Sequence, residues 1–285
     1  MRVALIFDKL RVDTLGGYLE RACQAEGIAY DHFWLRDAAS RPLNGYDVYV
    51  RVDHGDYRED LPATLHPKVF YASDTHLPKP WRKIRRLAAH YDLVCCVHRQ
   101  GAAALPNGVW VPVGCDVGYH GRQALPIQFD VAFVGTDGGV PRKFYLQAIR
   151  ERFPRSVIGL APHTQIGAIY SQAKIGFNYS IRDDINMRMF EILCAGTCLL
   201  TNRLRHDDLA CVGLVEERHY VTYRDPRHLW SQLEYYLSHD DQREAIAHEG
   251  MEHAQRHHTY RHRLRAILQA AAERIPGLPR VMTQG

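Results

Sequence analysis

The 285-residue chain lacks any apolar run close to the ~20 residues that a membrane-spanning helix requires. Its first residues, MRVALIFDKL, also lack the apolar stretch and the small-residue cleavage site of a secretory signal. The segment VALIF within them is typical of a first buried strand. From these absences we expect a cytoplasmic protein with no transmembrane segment.

Cysteine motifs and a strong charge excess are missing as well. The seven cysteines are odd in number and form no Cys-x-x-Cys pair, so we expect them to be reduced core residues. The 36 Lys and Arg residues nearly balance the 32 Asp and Glu residues, which leaves a formal net charge of +4. This excess is compatible with phosphate-bearing ligands, but it gives no indication of nucleic acid, and we expect no nucleic-acid partner.

Several catalytic and metal-binding signatures are also absent. The chain has no Gly-x-Ser-x-Gly elbow and no Gly-Lys-Ser/Thr sequence, which argues against a serine hydrolase of that type and against a Walker loop. Histidines recur at helical spacing within 253–262, but no acidic general base stands between them, and Arg256, Arg261 and Arg263 would repel a cation. We therefore expect a solvated or interdomain helix face and no metal ion.

What the chain does contain is a regular alternation of strand and helix patterns, and its length suggests two domains. Short apolar runs alternate with helical patterns in the first half, which predicts a parallel α/β sheet. The predicted strands there are Val3–Phe7, Tyr46–Val52, Val69–Ala72, Leu93–Val97 and Val109–Val111, and the predicted helices are Tyr18–Glu26 and Trp81–His90.

A glycine- and proline-containing segment near His120–Pro126 predicts the interdomain linker, so we expect domains at 1–122 and 123–285. The second half repeats the alternation. Its predicted strands are Val131–Val134, Ser156–Leu160, Ile175–Tyr179, Cys198–Thr201 and one near His219–Thr222, and its predicted helices are 142–152, 165–172, 186–194, Pro226–His239 and Gln242 to about Glu273. The fold class expected is α/β, with two Rossmann-like doubly wound domains facing a cleft; the last helix and the tail could pack across the first domain.

The most informative segment runs from Lys174 to Arg203. An apolar strand there is followed by a polar loop, a short helix that carries Arg188 and Glu191, and a glycine stop at Gly196. A helix N-terminus at the carboxyl end of a parallel strand favours anions, because unpaired amides and the macrodipole point there. A carboxylate further along can reach a ribose diol. The segment therefore predicts a nucleoside-diphosphate site.

The same segment contains the pattern N-x-R-x-F-E-x4-G, formed by Asn186, Arg188, Phe190, Glu191 and Gly196. This pattern resembles the signature of the GT-B glycosyltransferases, in particular the CgeB-like group. Three further stretches are similar to that group: Asp130–Lys143, Tyr170–Asn178 and Ile246–Leu268. The resemblance covers roughly the last 150 residues, which is within the size range of one domain.

The resemblance implies a nucleotide-sugar donor and assigns roles in the helix. Glu191 is expected to bind the ribose hydroxyls, and Arg188 to bind phosphate or to orient the loop. Without the resemblance, this pair at i and i+3 would be interpreted as a helix-surface ion pair. Asn186 is expected to cap the helix and to belong to the nucleotide-sugar site.

Two glycine turns are the expected phosphate contacts. The first, GTDGGV, offers the amides of Gly135, Thr136 and Gly138, and it is followed by Arg142 and Lys143. A flexible turn with solvated cations is the alternative. The second turn, in Asp13–Ala22, contains Gly16 and Gly17, which resemble the glycine pair on the N-terminal side of the GT-B site; an ordinary helix start is equally compatible with it.

Three residues are candidates for catalysis. Asp183 stands eight residues before Glu191, the spacing of the acidic pair in retaining members of the superfamily, where the first member is usually Glu. Asp74 and His76 follow an apolar strand and could contact the acceptor or the donor sugar, with Asp74 as a possible base. Asp74 could instead cap the next turn, and Asp53 is interpreted as a turn former.

Together these features predict a metal-independent glycosyltransferase. It would move a sugar from a nucleoside diphosphate sugar to an unidentified acceptor, which could be a glycan, a protein or a small molecule. No cofactor is expected beyond that donor substrate. A metal-dependent transferase is disfavoured because Asp74-Thr75-His76 does not supply an Asp-x-Asp pair. The alternatives left open are a sugar-nucleotide epimerase of the same fold and a non-catalytic nucleotide-sugar-binding protein.

Overall fold

The computed structural model describes residues 1–10, 14–55 and 57–279. The chain divides into two compact units, of which the first comprises Met1–Pro112 with Tyr260–Gly285 and the second comprises Val113–Thr259. The division thus comes before the 122/123 boundary that the sequence suggests. His120 lies inside the second unit and is fully buried there.

The first unit is built on a six-stranded parallel sheet with the strand order β2-β1-β3-β4-β5-β6. Its inner strands consist almost wholly of buried residues, as is typical of a parallel sheet that is covered on both faces. The elements of this part are β1 Arg2–Ile6, α1 Leu15–Glu26, β2 Ala29–Phe33, α2 Leu35–Ser40, β3 Val48–Val52, β4 Lys68–Ala72, α3 Pro78–Ala88, β5 Leu93–Cys96, α4 Arg99–Ala103 and β6 Gly108–Trp110.

The second unit is built on a five-stranded parallel sheet with the strand order β11-β10-β9-β7-β8. Because β7, β9 and β10 are neighbours, the loops that leave their carboxyl ends lie along one edge of the sheet. The elements are α5 Val117–His120, β7 Phe129–Val134, α6 Arg142–Arg152, β8 Ser156–Gly159, a 3-10 turn His163–Gln165, α7 Ile166–Ser171, β9 Ala173–Asn178, α8 Met187–Cys194, β10 Cys198–Asn202, α9 Asp208–Cys211, β11 Val221–Tyr223, α10 Pro226–Ser238 and α11 Asp240–His257.

The chain then returns to the first unit in α12, Tyr260–Arg274, which packs on α1. The ring of Tyr260 stacks on that of Tyr18 with centroids 4.6 Å apart, and Arg265 pairs with Glu26 at 2.6 Å. The last helix therefore belongs to the first unit. The last six residues of the chain lie outside the described residues.

The prediction of one helix from Gln242 to about Glu273 is wrong, because the structure breaks it at His258 and Thr259. The carbonyl of His258 accepts the amide of Cys115 at 2.9 Å, and Thr259 forms a parallel bridge with Cys115. These contacts take the backbone out of the helical pattern at the point where the chain leaves the second unit.

Candidate functional site

Two loops meet at the edge of the second sheet, and each precedes a helix. The loop 135–141 joins β7 to α6, and the loop 179–186 joins β9 to α8. The strands β7 and β9 pair directly, so the two loops are neighbours. Helix α8 lies close to its strand because Gly176 has no side chain; a Cβ there would overlap Ile192.

Arg188 ties the two strands together from the first turn of α8. Its Nε donates to the carbonyl of Val134 at 2.8 Å, and its Nη1 donates to Oδ1 of Asn178 at 3.1 Å. Its guanidinium carbon lies 4.3 Å from the centroid of the Phe133 ring. The cation is thus fixed at the end of β7, directly below the first loop.

Arg142 brings a second guanidinium to the same place. It is 8% exposed, its Nε donates to the carbonyl of Asp137 at 3.0 Å, and its guanidinium carbon lies 5.6 Å from the centroid of the Phe133 ring. Burial, and then repulsion by Arg188, lower the pKa of Arg142, while Asp184 and Asp137 oppose that shift. Two cations therefore lie side by side over one ring, and a bound anion would relieve their repulsion.

The glycines of the first loop allow the backbone to approach these cations. Gly135 and Gly138 have φ angles of +144° and +61°, and a Cβ on either would overlap the guanidinium of Arg188 or Arg142, respectively. Within residues 1–10, 14–55 and 57–279, the amides of Thr136 and Gly138 have no hydrogen-bond acceptor. Amides and guanidinium groups together form a concave anion site. We call this loop and its two arginines the anion cradle.

Glu191 lies on α8 one turn beyond Arg188 and is 7% exposed. Beside it is His120, which the sequence analysis missed because it lies in the segment interpreted as a linker. Nδ1 of His120 accepts the amide of Asp116 at 3.1 Å, so the neutral ring carries its proton on Nε2. That nitrogen lies 3.9 Å from Oε1 of Glu191. The imidazole therefore lies beside the carboxylate, at a distance longer than a hydrogen bond.

The second loop contains two adjacent aspartates, Asp183 and Asp184, whose side chains make different contacts. Oγ of Ser180 donates to Oδ1 of Asp184 at 2.6 Å, and the Asp184 amide donates back to that hydroxyl at 2.7 Å. Asp183 has a φ angle of +56° and pairs instead with Arg205 at 3.2 Å. Asp184, which the sequence analysis did not select, is thus the carboxylate of this loop that, together with Asp137 of the first loop, acts on Arg142.

Asn186 occupies the N-cap position of α8, but its side chain makes no capping hydrogen bond, so that prediction is wrong. The reason is local: the amide of Met189, which a capping side chain would accept, donates to the backbone carbonyl of Asn186 at 3.2 Å. Oδ1 of Asn186 has no hydrogen-bond partner among the residues that the structure describes. This oxygen is thus a buried acceptor whose hydrogen-bonding capacity is unused within the described residues.

In the first unit, the glycine pair lies in the first turn of α1 and has a clear structural role. Thr14 caps the helix by accepting the amide of Gly17 at 3.2 Å, and a Cβ on Gly16 would overlap the ring of Phe7. These contacts fit the ordinary helix start that the sequence left open. Asp13, at the beginning of that motif, lies outside the described residues.

The carboxyl ends of β4 and β5 bring polar groups together in the first unit. The rings of His76 and His98 have centroids 4.0 Å apart, and Oγ1 of Thr75 lies 3.1 Å from Nδ1 of His98. Burial raises the pKa of the Tyr57 phenol, and the charges of Asp53 and then Asp74 add to that shift. His98 was missed, although it follows its strand in the way that Asp74 follows β4.

Asp53 is confirmed as a turn former. One carboxylate oxygen accepts the amide of Gly55 at 2.9 Å, and the other accepts the amide of Ser73 at 3.0 Å and the hydroxyl of Tyr57 at 3.0 Å. The side chain is 6% exposed. These bonds join the ends of β3 and β4 and hold the polar loop that follows β4.

The second unit also contains a group of stacked histidines. The ring of His253 lies 4.5 Å from His219, 4.9 Å from His257 and 5.0 Å from His258, as centroid distances. Burial lowers the pKa of His219 and of His253; the neighbouring imidazoles and Arg218 add to the shift, opposed at His219 by Glu249 and at His253 by a hydrogen bond to a backbone carbonyl. Both rings are therefore neutral at pH 7.

Lowering the pH from about 7 to about 5 is expected to reduce the free energy of unfolding. The pKa of His219 and His253 lies below its ordinary value of 6.5 in the folded protein, so the unfolded chain takes up protons first. Stability is thus lost as the pH falls below about 6.5. Thermal denaturation at both pH values should show a smaller loss for His253→Gln than for the wild type. An equal loss would contradict this account.

Comparison with known proteins identifies the family. Residues 126–269, just over half of the chain, match the family model described as glycosyl transferase-like. The chain belongs to this family. Its membership confirms the prediction of a glycosyltransferase enzyme, whereas the CgeB-like subgroup stays a prediction. A search of curated protein sequences finds no significant match.

Solved glycosyltransferase structures are similar over nearly the whole chain. T4 phage BGT with its substrate UDP-glucose has 12% identity and a TM-score of 0.61, with 95% of this chain and 100% of that chain covered. Sucrose-phosphate synthase from Thermosynechococcus elongatus has 12% identity and a TM-score of 0.63, covering 96% and 98%. HepE from Anabaena with UDP-glucose has 10% identity and a TM-score of 0.63, covering 96% and 100%.

At these identities the similarity shows the fold. The glycosyltransferase has two Rossmann-like α/β domains, as in the GT-B enzymes, and this confirms the predicted fold class. In the part of the chain that the structure describes, no helix is long and apolar enough to cross a membrane. The roles of individual residues are not decided by these comparisons.

Proposed function

We propose that this glycosyltransferase transfers a sugar from a nucleoside diphosphate sugar, with UDP-glucose as the model donor, to a hydroxyl-bearing acceptor without a metal ion. The observation that carries the proposal is the anion cradle. Arg142 and Arg188 lie together over Phe133, below a glycine loop with unpaired amides. The structures of T4 phage BGT and HepE, which contain UDP-glucose, support this choice of donor.

The cradle would hold the two phosphates of the donor. The amides of the glycine loop and the two guanidinium groups would neutralise the charge that develops on the departing diphosphate, a task that a metal ion performs in other transferases. Lys143 extends from the first turn of α6 with an exposed side chain and would add a third cation. This arrangement supports metal-independent transfer.

Glu191 would bind the ribose hydroxyls of the donor. Nε2 of His120 lies 3.9 Å from its carboxylate, so the imidazole would stand beside the carboxylate while it accepts the hydroxyls. Asn186, with its unpaired Oδ1, would accept a further donor hydroxyl or amide. These three side chains extend the site from the phosphates toward the nucleoside.

Acceptor activation is proposed for the first unit. Asp74 or His76, at the end of β4, would take the proton from the acceptor hydroxyl, with His98 orienting the ring of His76. In the second unit, Asp183 is 25% exposed and would contact hydroxyls of the donor sugar, whereas Asp184 would orient Arg142. The acceptor could be a glycan, a protein or a small molecule.

Isothermal titration of UDP, GDP and ADP in EDTA tests this proposal. We expect at least one diphosphate to bind, and we expect binding to survive removal of metal ions. Arg142→Gln should weaken that binding by about tenfold or more, because charge-assisted hydrogen bonds contribute about 1.5–3 kcal/mol each. Arg150→Gln, an exposed position further along the same helix, is the matched control and should bind normally.

Two results would contradict the proposal. One is the failure of every diphosphate to bind to folded protein in EDTA. The other is equal weakening by Arg142→Gln and Arg150→Gln, which would show that the cradle has no special contact with the phosphates.

A further inference from the structure

Helix α3 of the first unit presents a strongly basic face. Its sequence, PKPWRKIRRLA, contains five cations and no acidic residue, and all five side chains are exposed. The five cations are Lys79, Arg82, Lys83, Arg85 and Arg86. At about 100° per residue, they cover about 160° of the helix circumference. We call this surface the α3 face.

The α3 face is not neutralised by neighbouring acidic groups. Among the ion pairs formed within residues 1–10, 14–55 and 57–279, none includes one of these five cations. The formal net charge of the whole chain is +4, so the chain outside these five positions sums to −1. The modest positive charge of the protein is thus accounted for by a single helix.

The apolar side of the same helix is already occupied. Ile84, Leu87 and Ala88 are buried in the core of the first unit, and Trp81 packs against that core. Apart from Pro78, the helix has no fully exposed apolar residue to insert into a bilayer. Its one aromatic ring, Trp81, packs against the core and is only partly exposed, which leaves little ring face for a nucleic-acid base. What the helix offers a partner is a broad cationic surface.

We propose that the α3 face docks the first unit on the surface of an anionic lipid bilayer. Clusters of four to eight Lys and Arg residues on an amphipathic helix are typical of binding to anionic lipids, and a wide arc of charge fits a planar surface better than a single line of phosphates. Helix α3 begins at Pro78, directly after the loop that contains Asp74 and His76. The bilayer would thereby bring lipid-borne hydroxyl groups near the proposed acceptor side.

The inference rests on the proposed function only where it calls the lipid-borne group an acceptor. Docking itself requires no donor, so the two can fail separately. Each basic residue near an anionic surface strengthens binding on the order of fivefold at low salt. Removal of four cations should therefore weaken vesicle binding by at least about tenfold.

Vesicle co-sedimentation of the full chain tests the proposal. Vesicles of phosphatidylcholine alone are compared with vesicles that contain about one-third phosphatidylglycerol, at about 0.1 M and about 0.5 M salt. The test variant has Lys79, Arg82, Lys83 and Arg86 replaced by Gln. A matched control removes four exposed cations from the second unit, again as Gln replacements: Arg152, Arg218, Arg227 and Arg256.

We expect the wild-type protein to bind the anionic vesicles but not the phosphatidylcholine vesicles, and we expect high salt to weaken this binding. The α3 variant should lose the binding, and the control variant should keep it. Circular dichroism and UDP titration check that each variant is folded. If the quadruple variant does not fold, the double variant Lys79→Gln with Lys83→Gln replaces it. The double variant should weaken vesicle binding by about half as much on a logarithmic scale. Absence of vesicle binding, or equal loss in the control, would overturn the proposal. So would α3-dependent binding of a fluorescent oligothymidylate without any vesicle binding.

Discussion

Replacement of Glu191 by Gln is expected to lower the affinity for UDP by about thirtyfold. A carboxylate that accepts two ribose hydroxyls contributes roughly 2 kcal/mol through charge-assisted bonds, and a neutral amide of the same shape loses most of that contribution. Because Gln preserves the volume, the buried surroundings of the side chain change little. Calorimetric titration of UDP to the wild type and to the variant measures the difference.

A modified ligand provides the control for this prediction. A 2′,3′-dideoxy analogue of UDP has no ribose hydroxyls, so the wild type and Glu191→Gln should bind it with similar affinity. Glu234→Gln, at an exposed position on α10, should bind UDP normally. If Glu191→Gln weakened both ligands equally, Glu191 would have a structural role in α8 and would not bind the ribose.

Replacement of Gly135 by Ala is expected to abolish measurable UDP binding and to lower the stability of the second unit by about 1–3 kcal/mol. The φ angle of Gly135 is +144°, and a Cβ there would overlap the guanidinium of Arg188. That guanidinium holds the ends of β7 and β9 together through Val134 and Asn178. Displacement of this guanidinium removes a phosphate contact and also the hydrogen bonds that connect β7 to β9.

Gly139→Ala is the matched control for Gly135→Ala. Gly139 also has a positive φ angle, +75°, but no atom lies within 4 Å of the position that its Cβ would take. This variant carries a backbone cost without displacing an arginine, so its UDP affinity should fall much less. Equal loss of binding in the two variants would show that loop strain, and not the position of Arg188, controls the site.

Strand and helix patterns in the sequence predict much of the second unit. The helix predicted at 142–152 is α6 as observed, and the strands around 131, 175 and 198 are present within a few residues. These elements have apolar residues at clear periodicity, and Gly135 marks the end of β7. In the first unit, β2 escaped prediction because AYDHF is a half-buried edge strand without an apolar run.

Part of the candidate site could be predicted from the sequence. Gly135, Gly138, Arg142 and Arg188 were selected from two separate motifs, and the structure brings them into direct contact range. The contact of His120 with Glu191 depends on how α5 packs against α8, and no local pattern encodes that packing.

The choice between Asp183 and Asp184 could not be made from spacing. It depends on a backbone turn in which Ser180 holds one aspartate and the other adopts a positive φ angle. Family spacing favours Asp183, whereas the hydrogen bonds favour Asp184 as the neighbour of Arg142. Such a turn is defined only once both strands and their loops are folded.

Hydrogen–deuterium exchange with and without UDP tests the central claim most directly, because it shows which backbone amides the nucleotide covers. The account predicts slower exchange in two peptides of the second unit, 134–143 and 180–191, when UDP is bound, with 226–238 unchanged as an internal reference. Binding of UDP with unchanged exchange in both of those peptides, or with protection confined to the first unit, would contradict it.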